Sequence, residues 1–159
     1  MVKNKGVTLV EVIVALAIFW VVISVAVNIF AYELKGQRKS SAMQLVQNNS
    51  RYALESISKE IRMSHIEADS NENMLHITAY KIGGVAVDVV YILAGGKILR
   101  NGSAITSDQI SVSKLKFYIN NQANTPAIMT IVMTAETSGA KAEQNVKIDL
   151  QTTISTRNY

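Results

Sequence analysis

The sequence predicts an α+β fold in which a long N-terminal helical spine, half membrane span and half amphipathic, packs on a C-terminal antiparallel β-meander. Three observations predict it. Residues 6–32 carry a single charge, Glu11, in an apolar run longer than the ~20 residues a bilayer-crossing helix needs. Ala42, Val46, Ala53, Ile57 and Ile61 then recur at spacings of four and seven, with Asn49 filling one gap, which is one stripe of a 3.6-residue period. Beyond residue 73 the period falls to two, and turn residues separate the runs.

No proline interrupts residues 7–65, so one helix about 90 Å long is predicted, far more than a bilayer requires. Gly36 costs that helix about 1 kcal/mol relative to alanine and marks a flexible point just past the span. Ser24 and Asn28 are the main polar interruptions within the span. Asn28 fits either a hydrogen bond to a neighbouring helix or a tolerated interfacial position. Glu11 is the informative residue, because an ionised carboxylate deep in a spanning helix costs about 2.5–3.5 kcal/mol even on lenient insertion scales. It either snorkels to the interface or is compensated by a partner.

The stretch Lys5-Gly6-Val7-Thr8-Leu9-Val10-Glu11, ahead of a continuous apolar run, resembles the N-terminal signature of type IV pilins and type II secretion pseudopilins. Val7 stands where that family usually has Phe, and Thr8, Leu9, Val10 and Glu11 match in register. The resemblance implies a leader at residues 1–6, cleavage between Gly6 and Val7 by a membrane prepilin peptidase, and methylation of Val7. Cleavage would create an α-amine four residues before Glu11, about one helical turn away. The resemblance further implies that Glu11 pairs with the amine of a neighbouring subunit, so that each charge is compensated only on assembly. The helix-first, sheet-second order is pilin-like as well. Looser likenesses, in residues 51–62, 91–101 and 152–158, point to J-type minor pseudopilins or W-type minor pilins, and the presence of Glu11 speaks against the K-type tip subunit.

Sixteen basic and twelve acidic side chains give a formal charge of +4, which falls to +2 if Lys3 and Lys5 leave with a leader. That balance is no argument for nucleic acid. The absence of cysteine excludes disulfides, thiol catalysis and Cys-based metal sites. Lys3 and Lys5 before the span place the N-terminus in the cytoplasm and the later residues outside it. Glu33, Lys35, Arg38 and Lys39 blunt that asymmetry.

The predicted domain order is a leader at 1–6, a transmembrane or filament-core helix at 7–32, an amphipathic continuation at 33–66 and a β-sheet domain at 67–159. Residues 68–73 read as a turn-rich stop. Strands are predicted at 74–79, 85–93, 97–100, 112–119, 128–135 and 146–154, about six in one meander. Gly95-Gly96 and Asn101-Gly102 read as hairpin turns, and the loop at 120–125 leads to the only proline, Pro126.

Candidate chemistry in the second half is sparse. His65 at a helix end and His76 on a strand lack ligand-spaced acids and form a poor metal site. Gly83-Gly84 and Gly95-Gly96 lack phosphate-loop spacing. Asp69, Glu72 and Asp108 do not form an acid-rich calcium loop. Tyr118 with Lys114 and Lys116 makes a small basic aromatic strip that reads as a solvated strand face. No Gly-x-Ser-x-Gly elbow occurs.

The expectation is therefore a structural subunit, not an enzyme, with no cofactor and no metal. It resides first in the inner (cytoplasmic) membrane, single-pass, and then in a filament in the periplasm or at the cell exterior. The implied partners are other pilin or pseudopilin subunits, the prepilin peptidase, an inner-membrane assembly platform and, before assembly, the lipid bilayer; nucleic acid is not expected. Two rivals are a single-pass membrane protein displaying a β-rich binding or sensor domain with an uncleaved N-terminus, and a domain released by signal cleavage after Ala26.

Overall fold

The computed structural model describes residues 6–80, 85–120, 127–139 and 144–156. Among the described residues one α-helix, α1 (Leu9–Arg62), is followed by antiparallel strands, as the α+β reading expects. The chain divides into two compact units, Met1–Arg38 and Lys39–Tyr159, with α1 contributing to both.

In the first unit every described residue is exposed, including Leu9, Trp20 and Phe30, because an apolar helix alone has nothing to bury against. Ser24 donates its hydroxyl to the Trp20 carbonyl (2.8 Å) and Asn28 its amide to the Ser24 carbonyl (2.9 Å). Both polar side chains are thus satisfied in part by their own helix, which lowers the cost of placing them in an apolar span.

In the second unit the predicted stripe is the buried face of α1. Val46, Ala53, Ile57 and Ile61 are fully buried, Ala42 is half-buried, and Ser50 and Leu54 join the same face. Asn49 is half-buried and donates to the Leu45 carbonyl. Ser50 sits in the core, and among the described residues its Oγ has no hydrogen-bond partner. Ser50→Ala is therefore expected to stabilise this unit by about 1–2 kcal/mol, read as a higher urea midpoint, since alanine removes an unmet hydroxyl and has the better helix propensity.

The helix ends at Arg62, short of the predicted end at 65–66. Its last turn tightens through Met63 N–H to the Glu60 carbonyl (3.1 Å), and the Ser64 hydroxyl donates to the Ile61 carbonyl (3.1 Å), supplying donors to carbonyls that the helix end leaves unpaired. Residues 64–66, predicted as helix, instead form strand β1 (Ser64–Ile66), which pairs antiparallel with β2 (Met74–Tyr80). His65 is accordingly an exposed strand residue opposite Thr78, not a helix-end residue.

The expected single meander is two sheets. The first has β1, β2, β3 (Ala86–Ala94), β4 (Lys97–Arg100) and β5 (Ser103–Ala104) in chain order. The second has β6 (Ile110–Asn120), β7 (Ile128–Thr137) and β8 (Lys147–Ser155), also in chain order. The two tight turns fall where predicted: Gly95 and Gly96 at φ +59° and +73°, Asn101 and Gly102 at +48° and +82°. Asn101 tolerates its left-handed backbone while its Oδ1 accepts from Val90 N–H (2.7 Å) and its amide donates to the Asp88 carbonyl (2.9 Å).

The break between sheets arises because β6 does not continue the ladder beyond β5. Its backbone instead spends single hydrogen bonds on two turns, Val112 N–H to the Gly96 carbonyl (2.8 Å) and Phe117 N–H to the Glu72 carbonyl (3.0 Å). A β-bulge between Val112 and Lys114 resets the alternation so that Val112, Leu115 and Phe117 are all buried. One core results, joining the stripe of α1 to Leu75, Ile77, Val89, Tyr91, Ile131 and Met133 from the two sheets. The Gly83-Gly84 turn and the 121–126 loop with Pro126 lie outside the described residues.

Candidate functional site at the helix start

Glu11 lies in the first turn of α1. Thr8 is the residue before the helix, and its hydroxyl accepts from Glu11 N–H at 3.3 Å. Glu11 Oε2 in turn accepts from the Thr8 N–H (3.0 Å) and from the Thr8 hydroxyl (3.0 Å). This is a reciprocal capping box: Thr8 satisfies a helix N–H that has no carbonyl partner, and Glu11 satisfies the backbone of the cap. A carboxylate here also lies at the positive end of the helix dipole. The Thr-x-x-Glu spacing that signals this cap is present in the sequence at residues 8 and 11.

Both Thr8 bonds use Oε2. Among the described residues Oε1 accepts no hydrogen bond, and the carboxylate is solvent-exposed. The helix start therefore carries an acid oriented by its own cap with acceptor capacity left over. Gly6 and Val7 precede the cap in exposed, non-helical backbone, and nothing would meet a Cβ added at Gly6.

The remaining sequence candidates are each drawn into local structure. His76 Nδ1 lies 2.8 Å from Asp69 Oδ1, and the backbone of His76 is clamped by the Ser70 hydroxyl, so these residues fix the turn between β1 and β2. Asp108 is held by Lys97, which keeps its carboxyl below the usual range, first through the hydrogen bond and then through charge. Lys116 of the basic strip is half-buried and reaches Asn73 Oδ1 (2.8 Å) and Glu72 (3.4 Å). Lys114 and Tyr118 are exposed beside it. Among the described residues no group of three or more His, Asp or Glu could hold a metal ion.

A cluster that sequence reasoning did not find joins α1 to the first sheet. Glu60 accepts from the Tyr91 hydroxyl (2.7 Å) and from Arg100 Nε (3.1 Å), with Arg100 Nη2 at 3.0 Å. Burial, then the Glu60 hydrogen bond, push the Tyr91 phenol well above its ordinary value near 10. A raised folded-state value means a contribution to stability that is complete below the ordinary value and lost as pH rises past it. The unfolding midpoint is expected to fall above about pH 10, and to fall less steeply in Tyr91→Phe.

Among family models, the one described as the prokaryotic N-terminal methylation motif matches residues 1–27. The chain carries the type IV pilin and pseudopilin signature. Comparison with curated proteins and with solved structures gave no match. The methylation motif indicates a type IV pilin-like precursor of the kind processed by prepilin peptidase, and it points to a structural subunit. Residues 1–27 enclose the capping box and most of the apolar run, and α1 is long and apolar enough to cross a membrane, as an inner-membrane-anchored precursor requires.

Proposed function

We propose that the chain is a minor pilin or pseudopilin, a structural subunit of a type II secretion pseudopilus, a type IV pilus or a competence-type filament. The observation that carries the reading is the methylation motif on an apolar helix whose Glu11 is exposed and only half used by its cap. In this account the precursor inserts with residues 1–6 in the cytoplasm, and prepilin peptidase cuts between Gly6 and Val7 and methylates Val7. The ammonium at Val7 and the carboxylate of Glu11 are then two charges in an apolar zone, each costly alone. Bringing the amine of one subunit to the unused oxygen of another's Glu11 compensates both, which makes the growing end the stable place for the helix. Residues 9–30 form the packed core of the filament, and the unit Lys39–Tyr159 is displayed outside the cytoplasm.

A minor role is favoured by the J-type and W-type likenesses in residues 51–62, 91–101 and 152–158. Sheared filaments from the native host, analysed by quantitative mass spectrometry, provide the test. The chain is expected there at a small fraction of the most abundant pilin. Its confinement to the membrane fraction in cells with normal filaments would favour the membrane-anchored binding or sensor domain instead.

A further inference from the structure

The sequence holds one Asn-Gly pair, Asn101-Gly102, and it forms the two-residue turn between β4 and β5. An asparagine loses its amide most readily ahead of glycine, because the next backbone nitrogen, unhindered by a Cβ, can attack the side-chain carbonyl carbon. Both residues are exposed, and nothing would meet a Cβ added at Gly102, so water reaches the turn. Among the described residues the Gly102 N–H makes no hydrogen bond, which leaves the nucleophile unoccupied. The electrophile is held. Asn101 Oδ1 accepts from Val90 N–H (2.7 Å), Nδ2 donates to the Asp88 carbonyl (2.9 Å), and the Asn101 N–H donates to the Val90 carbonyl (2.9 Å). The ladder of β3 with β4 has its last pair at Tyr91 and Arg100, and the Asn101 carboxamide extends it as a peptide group would.

We infer that Asn101 is a deamidation site gated by folding: the amide is lost while this turn is open, and the folded sheet protects it. Both side-chain hydrogen bonds to β3 must break before Cγ can turn to the Gly102 nitrogen. That nitrogen then gives its proton to solvent and bonds to Cγ, while Nδ2 takes up a proton and leaves as ammonia, closing a cyclic imide. Water opens the imide at either carbonyl and yields aspartate or its β-linked isomer. The net change consumes water and releases ammonia, with nothing oxidised or reduced.

The products do not fit the turn. Aspartate at this position still accepts from Val90 N–H, but it has no donor for the Asp88 carbonyl and sets a carboxylate oxygen against it. The β-linked isomer lengthens the main chain inside a turn of only two residues. The neighbouring Arg100 pairs with Tyr91 in the ladder and holds Glu60, so the disruption falls beside the cluster that joins α1 to the first sheet. A chain that folds promptly keeps the amide. One that lingers unfolded is marked irreversibly and refolds to a weaker sheet.

Full-length protein at mildly alkaline pH is followed in detergent and, in parallel, in guanidinium chloride above its unfolding midpoint. Peptide-mapping mass spectrometry resolves asparagine, aspartate and the β-linked isomer at position 101. Conversion there is expected to be at least about 10-fold slower in the folded protein, since it waits on local opening of the turn. In the unfolded chain it is expected to run ahead of conversion at every other asparagine. Equal rates in the two states would overturn the gate, and an unfolded chain that converts elsewhere first would overturn the site. Both readings come from the parent chain alone. As a second arm, Asn101→Asp is expected to unfold at a lower guanidinium midpoint than the parent. A midpoint at or above the parental one would overturn the mismatch between product and turn.

Discussion

Glu11→Ala is expected to insert into the membrane normally and to enter filaments about 100-fold less than the parent. Leaving one ionised group uncompensated in an apolar helix bundle costs on the order of 2.5–3.5 kcal/mol. The alanine variant also loses half of a capping box, worth about 1 kcal/mol at the helix start. Glu11→Gln separates the two effects. Glutamine at this position still accepts from the Thr8 N–H and hydroxyl, so the cap geometry around Thr8 survives while the charge does not. Incorporation of the glutamine variant at the alanine level assigns the defect to charge pairing; incorporation at the parental level would show that Glu11 acts only as a cap.

The second large effect is expected at Glu60. Its removal leaves the Tyr91 hydroxyl without an acceptor inside the core and the half-buried Arg100 without its carboxylate. Unpaired groups of this kind cost more than the hydrogen bonds themselves contribute. Glu60→Ala is expected to destabilise the unit Lys39–Tyr159 by about 2–4 kcal/mol in urea unfolding. Tyr91→Phe, which removes the buried hydroxyl together with its need, should cost about 1 kcal/mol. Equal losses for the two variants would mean that the Tyr91 hydroxyl bond carries the whole contribution of Glu60 and that its pairing with Arg100 adds nothing.

What was legible in the sequence was local. The apolar run and the stripe Val46, Ala53, Ile57, Ile61 are local patterns of one helix, and composition and periodicity report them directly. Gly95-Gly96 and Asn101-Gly102 announce their turns because positive φ selects those residues. Glu60 contacts residues 31 and 40 positions away, and no spacing rule connects them. The division into two sheets was hidden for a similar reason: Val112 and Phe117 find carbonyls on turns remote in sequence, at Gly96 and Glu72. At 64–66 the helical pattern ran on past Arg62, and pairing with β2 overrode it. The bulge at Val112 and Lys114 shifted a face of β6 that strict alternation assigns otherwise.

The central claim is that a prepilin-type N-terminus at Gly6 and Val7 converts a membrane precursor into a filament subunit. Mass spectrometry of the intact chain and its N-terminal peptide, on protein recovered from native-host membranes, tests it most directly. The account predicts a chain beginning at N-methylated Val7. A chain beginning at Met1 would contradict it in favour of a permanently anchored domain, and one beginning at Val27 would show the apolar run to be an export signal.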